Sequence, residues 1–358
     1  MKKITLTLLT GLALLPCVFP NPLAGQVRET PVTLGLVQGG NPQGYIQGSN
    51  EQGILFATAS GGAGQLMPYA RLRGEGLDKL IRYEERTEVL GTPRALFAAG
   101  KYEEAAAAFG KVATDYAILY AAPQNFASEA LFYQMESLRR AGQYGSLAEL
   151  VKRPGAATID RVLVDSYKRP YALIRLWALF GAGDTAGLKE ALAGYQEPVT
   201  GPTELLPAPN FKKMPANEMA QVAFLRANVH ESDGAGDKAL EDYYRSFTLA
   251  NGNDVRLSKL AMEAAMRIQK EDPLLAAGNG KALIRMQSIA FVFTQRFGKD
   301  ALPAEFQEFA VRPDVPRPAR HPAPAPEGEA APQSEEKGKD APKGEAKPKE
   351  EAPAAKAK

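Results

Sequence analysis

The spacing of apolar residues changes three times along this chain. Ile4 to Val18 is a near-continuous apolar run behind Met1-Lys2-Lys3. From about 28 to 72 the apolar residues fall in short blocks: Val32-Thr33-Leu34-Gly35-Leu36-Val37, Tyr45-Ile46, Gly53-Ile54-Leu55-Phe56-Ala57-Thr58 and Gln65-Leu66-Met67-Pro68-Tyr69. Turn formers separate the blocks at Gly39-Gly40-Asn41-Pro42, Gly48-Ser49-Asn50 and Ser60-Gly61-Gly62-Ala63-Gly64. This predicts a β module of short strands, a small SH3-like or Sm-like barrel whose core is too small to stand without the helices that follow. From 76 to 312 the period becomes helical. In the last segment, 313–358, Val315 is the only branched apolar residue.

Within the helical region a unit recurs: an apolar helix, a glycine turn, a second helix. The four copies centre on Gly100, Gly142, Gly183 and Gly234, with spacings of 42, 41 and 51 residues. Five positions after each glycine stands a small or apolar residue (Ala105, Leu147, Leu188, Ala239), and four further on a larger one (Phe109, Val151, Leu192, Tyr243). Glycine tolerates the left-handed conformation that ends a helix. The small residue lets the second helix close on the first, and the bulky one fills the gap a turn later. A lone hairpin cannot bury its apolar faces, so the hairpins must stack. Val255 to Phe297 reads as one further, degenerate pair that caps the array.

The Gly100-Lys-Tyr-Glu-Glu-Ala105…Phe109 segment resembles the tetratricopeptide repeat family in its turn and second helix. The period is longer than the roughly 34 residues of that family, which calls for inserted loops or longer helices. Glu197-Pro198-Val199-Thr200-Gly201-Pro202 and Leu206-Pro207-Ala208-Pro209 account for the widest gap. The resemblance implies a mainly α fold, an α-solenoid over 76–312, and binding of a protein or peptide with no catalysis and no cofactor.

Projecting the repeat onto its first helices puts Leu90, Phe132, Leu173 and Phe224 at equivalent positions, with Arg94, Glu136, Trp177 and Asn228 one turn later and Arg139 and Arg140 beside them. The inner face of a solenoid is its usual ligand surface. Aromatics for contact area and arginines for directional donors suit a peptide groove. These residues are the candidate binding site; packing against loops or the β module is the competing reading for the aromatics. The main alternative function is a carbohydrate- or peptidoglycan-binding protein of the cell envelope, with Trp177 and the β module stacking on sugar rings.

Charge and composition narrow the field. A basic start, an apolar run and Leu23-Ala24-Gly25 form the order of a secretory signal peptide over 1–25, which places the protein in the periplasm or outer envelope. The run is too short and too interrupted by Pro16, Pro20 and Pro22 to span a bilayer. The 43 basic and 41 acidic residues include Lys2 and Lys3, so the chain after the leader is balanced and offers no electrostatic case for nucleic acid. The single cysteine, Cys17, lies in the leader, and Pro16 stands where a lipoprotein box wants a small residue, which disfavours lipid anchoring. Disulfides and Cys-ligated metals are then excluded.

Of two histidines, His321 lies in the polar tail, which leaves His230 alone for any triad or zinc site. In register with Leu138 and Leu179, His230 faces its partner helix. Gly278-Asn279-Gly280-Lys281-Ala282 superficially resembles a phosphate-binding loop, but it has Leu275 in place of the first glycine and Ala282 in place of the Ser or Thr that holds magnesium. Adjacent pairs such as Glu103-Glu104 diverge by about 100° on a helix and form no acid–base pair. The 313–358 tail carries 9 acidic and 9 basic residues among Ala, Pro and Gly, a balanced polyampholyte expected to be disordered.

Overall fold

The computed structural model describes residues 31–72, 81–83, 89–163, 165–195 and 214–313. The predicted leader, the Pro-rich segments after Tyr195 and the tail beyond Pro313 lie outside the described residues. The fold is mainly helical, with a small antiparallel sheet at its N-terminal end.

Strands β1 (Val32–Leu34), β2 (Gln43–Ser49), β3 (Gly53–Ala57) and β4 (Gln65–Pro68) follow the apolar blocks of the sequence. A further strand, β5 (Ile81–Tyr83), pairs with β1, giving the order β4-β3-β2-β1-β5. The sequence pattern predicts helix from 76; here the chain instead returns to the sheet, because pairing with β1 outweighs a local pattern crowded with charge. The register shifts between Ile46 and Gly48, which makes Gln47 a bulge residue.

Val32, Leu34, Ile46, Ile54 and Phe56 are buried against Leu119, Ala122 and Ala127 from the helical region. Ser49 Oγ donates to the Ile118 carbonyl at 2.7 Å across the same seam. The sheet leans on the helices, as its small core requires.

The helices run α1 (Gly91–Ala98), α2 (Tyr102–Asp115), α3 (Phe126–Ala141), α4 (Tyr144–Val151), α5 (Pro154–Val162), α6 (Asp165–Gly181), α7 (Thr185–Leu192), α8 (Ala216–Ser232), α9 (Gly236–Ala250), α10 (Val255–Lys270) and α11 (Gly280–Phe297), with a single helical turn at Pro273–Ala276 before α11. The four predicted turn glycines are all left-handed, with φ of 75°, 73°, 69° and 72° at Gly100, Gly142, Gly183 and Gly234.

Each turn closes with the same two backbone bonds. The glycine N–H donates to the carbonyl three residues back, and the next N–H donates to the carbonyl five back from itself, as in Gln143 to Leu138 at 2.9 Å and Ala235 to His230 at 2.8 Å. This pair of bonds satisfies carbonyls that the helix end leaves open. Gly278 makes a fifth such turn at φ 74°, with Asn279 N–H on the Leu274 carbonyl. The small positions Ala105, Leu147, Leu188 and Ala239 are all buried, and one apolar core runs from Leu90 to Phe306. α2 packs on α3, α4 on α6, α6 and α7 on α8, and α9 on α10.

Candidate functional site

Trp177, on α6, is 0 % exposed. Its indole N–H donates to Gln221 Oε1 at 2.8 Å, and its ring is stacked between Tyr144 and Phe224, with centroids 5.0 and 5.4 Å away. Phe132 stacks on Tyr167 at 4.9 Å, and Leu173 and Phe224 are buried with it. The predicted groove row of Phe132, Leu173, Trp177 and Phe224 is therefore core, with no surface to offer a ligand.

The reason is the close approach of neighbouring hairpins. A Cβ on Gly181 would meet the Tyr144 backbone carbonyl, so α4 sits directly against α6 and brings Tyr144 over the indole. Arg94 is exposed and paired with Glu129. Asn228 is half-buried, its Nδ2 donating to the Phe224 carbonyl at 2.8 Å. Neither shares a groove with the aromatics.

The charged candidates do come together. Arg139, 2 % exposed, donates from Nε and Nη2 to the two oxygens of Glu136 at 2.7 Å each, and from Nη2 to Asp254 Oδ2 at 3.0 Å. Arg140 Nε reaches Glu136 Oε1 at 2.8 Å, and its guanidinium lies 5.4 Å from the Phe97 ring centroid. The Arg139 guanidinium lies 5.6 Å from the Trp177 ring. Burial pushes the Glu136 carboxyl up, but Arg139 and Arg140 outweigh it and hold it below its ordinary value. Burial likewise works against the charged form of Arg139, and Glu136 and Asp254 overcome it. This network is satisfied within the protein, so it holds helices together and presents little to a ligand.

Asp254 carries no sequence signature beyond its place just before an apolar run. It also caps α10, accepting from the Leu257 N–H at 3.0 Å.

Two of the charged concavities involve the hairpins. The smaller, about 300 Å³, lies beside the first turn and is lined by Lys101, Tyr102, Glu103, Glu104, Arg140 and Arg256. The larger, about 500 Å³, opens where α7 meets the hairpin of α8 and α9. Its floor is Leu192 and Val229, both buried. Lys189 comes from α7, Arg226 and His230 from α8, and Lys238, Asp242 and Arg245 from α9.

Asp242 is buried and takes a two-point contact from Arg226, at 2.7 Å from Nε and 2.6 Å from Nη2. Arg245 Nη1 stands 3.3 Å from the same carboxylate and His230 Nε2 stands 3.7 Å from it. His230 thus faces its partner helix, as its register predicts. Lys189 pairs with Asp233 at 2.7 Å across the mouth. Four permanent cations face the carboxylates of Asp233, Glu241 and Asp242, an excess of one positive charge.

Among the described residues no group of three or more His, Cys, Asp or Glu is placed to hold a metal ion, and no helix is long and apolar enough to cross a membrane. No protein-family model matches the chain, and no curated protein shows significant similarity to it.

Proposed function

We propose that the chain is an exported, non-enzymatic adaptor of the tetratricopeptide type, needing no cofactor, which holds a protein or peptide in the cavity between α7 and the α8–α9 hairpin. The observation that carries this reading is the cavity itself: about 500 Å³, an apolar floor, and basic groups from three helices. Apolar floors take side chains while fixed cations take carboxylates and carbonyls, a combination that a peptide presents.

The solenoid reading is supported by the shared closing geometry of the turns, since hairpins closed in one way stack side by side. α5, inserted between the second and third hairpins, adds to the period there, and 196–213 of the sequence adds to the spacing between the third and fourth glycines. A strand order in which the last strand returns beside the first supports the small barrel. Export rests on the basic, apolar, small-residue order of 1–25.

The test is a photo-crosslinker at Lys238, exposed at the cavity edge, used in the native envelope with mass spectrometry of the adduct. One dominant protein adduct, weakened by Lys189→Glu, is expected. A glycan adduct overturns the reading in favour of a cell-wall carbohydrate ligand. No adduct from a folded protein removes the cavity as the holding surface.

A further inference from the structure

The cavity beside α7 has a direction. Arg226, His230 and Asp233 lie four and three residues apart on α8, and Lys238, Asp242 and Arg245 do the same on α9, so each helix lines it with one row. From 226 to 233, and from 238 to 245, a row runs about 10.5 Å along its helix. The hairpin sets the rows antiparallel, with Arg226 on Asp242. The cavity is thus a trough with a turn end, at Asp233 and Lys238, and an inner end, at Arg226 and Arg245.

Charge is uneven along the trough. At the inner end two arginines meet two carboxylates: Arg226 holds Asp242 at two points, and Arg245 stands 3.3 Å from both Asp242 and Glu241. At the turn end Lys189 and Lys238 meet Asp233 alone, and Lys238 has no carboxylate partner among the described residues. The Lys189–Asp233 pair is open to water, its side chains 58 % and 42 % exposed, so it is weakly held. The spare positive charge therefore sits at the turn end. The apolar floor lies inward of it: Leu192 is one helical turn beyond Lys189, and Val229 one turn before Asp233.

An extended chain rises about 3.3 Å per residue, so about three residues fill a trough of this length. Its side chains alternate, so the first and third point the same way, about 6.6 Å apart. One of them can meet the lysines while the other rests on the floor.

We infer that the cavity holds an extended segment of a partner protein in which an acidic and a large apolar residue stand two positions apart. The carboxylate lies between Lys189 and Lys238, and the apolar side chain covers Leu192 and Val229. This rests on the cavity reading above and specifies the ligand that it takes.

The probes are peptides blocked at both ends and centred on Glu-Ser-Leu or on the reverse, Leu-Ser-Glu, read by fluorescence anisotropy against the full chain. The better of the two should lose about threefold or more in affinity when its glutamate becomes glutamine. It should lose about tenfold when its leucine becomes serine. Ser-Glu-Leu, of the same composition with the two residues adjacent, should bind more weakly than the better peptide. Lys189→Gln and Lys238→Gln should each shrink the glutamate preference, leaving the leucine preference and the circular dichroism unchanged.

Indifference to either peptide change, equal binding of Ser-Glu-Leu, or no binding by any of the peptides overturns the inference. A protein captured from the 238 position alongside indifferent peptides overturns it alone and leaves the cavity reading standing. Absence of both the adduct and peptide binding removes the cavity reading as well.

Discussion

The buried Arg139 guanidinium lies 3.0 Å from the Asp254 carboxylate, which joins the second hairpin to the start of α10 across 115 residues of sequence. In a stacked array each unit touches its neighbours. This bond skips the two hairpins between them and ties helices distant in sequence directly together. The same carboxylate caps α10 through its other oxygen, so one side chain performs two separable tasks.

Asp254→Asn keeps the cap acceptor and removes the charge. It should cost about 1.5–3 kcal/mol, the range for a hydrogen bond to a charged group. Asp254→Ala should cost about 1 kcal/mol more through loss of the cap. Urea unfolding of the two variants measures the difference, and equal losses would show that the cap contributes nothing.

Glu136 governs the acid side of the stability profile. Its folded carboxyl is held below the ordinary value of 4.5, so its contribution is complete above that pH and is lost as pH falls through the depressed folded value. Stability measured from neutral to acid pH should steepen downward below about 4.5. Glu136→Gln should lose stability at neutral pH and flatten that part of the curve.

The alkaline side belongs to tyrosines. Burial pushes Tyr69, Tyr120 and Tyr171 up to about 12 from an ordinary 10.0. Tyr120 and Tyr171 also donate to the carbonyls of Ala113 and Ala156 at 2.6 and 3.0 Å. A raised folded value contributes stability below the ordinary one and loses it as pH climbs toward 12. Phenolate absorbance should therefore lag in the native protein and rise together with unfolding.

The turn glycines separate backbone strain from crowding. A Cβ at Gly100, Gly183 or Gly234 meets nothing within 4 Å, so each change to alanine should cost only the left-handed penalty of about 1–2 kcal/mol. At Gly142 the Cβ would also meet the Arg256 guanidinium, the end of a flexible side chain that can swing aside, so the loss should stay close to that of the other three. Gly181→Ala meets the fixed Tyr144 backbone and should cost about 1–3 kcal/mol with no left-handed strain. Thermal melts across the five variants would test this order.

Trp177, the sole tryptophan, reports on the core. Its emission should be blue-shifted and resistant to acrylamide until the protein unfolds. Trp177→Ala should cost about 3–5 kcal/mol. Gln221→Leu, which strands a buried indole N–H, should cost about 1–3 kcal/mol. Ready quenching in the native state would restore the open groove.

The hairpin turns were legible because a left-handed cap admits few residue types, and the buried Ala105, Leu147, Leu188 and Ala239 followed from the same offset. The turn at Gly278 breaks the pattern, since the buried alanine there is Ala282, one position early. The fate of the aromatic row was not legible. Spacing shows that Phe132, Leu173, Trp177 and Phe224 share a face, but what stands opposite that face, Tyr144 and Gln221, comes from other helices. Arg139 beside Glu136 and Arg140 has the pattern of a solvated helix face, and only the fold supplies Asp254. The cavity was visible only through His230; Lys189, Arg226 and Lys238 converge from three helices with no common motif.

The seam between sheet and helices bears on the order in which the chain matures. The sheet's core is completed by Leu119, Ala122 and Ala127, and Gln124 donates to the Val162 carbonyl while Arg161 pairs with Glu51. As the chain is synthesised from its N-terminus, the strands come out first yet find their packing partners only after α5 has followed. The sheet is thus made before the helices that complete its core, and until they arrive it exposes unpaired strand edges, the state in which such a segment is open to wrong pairing.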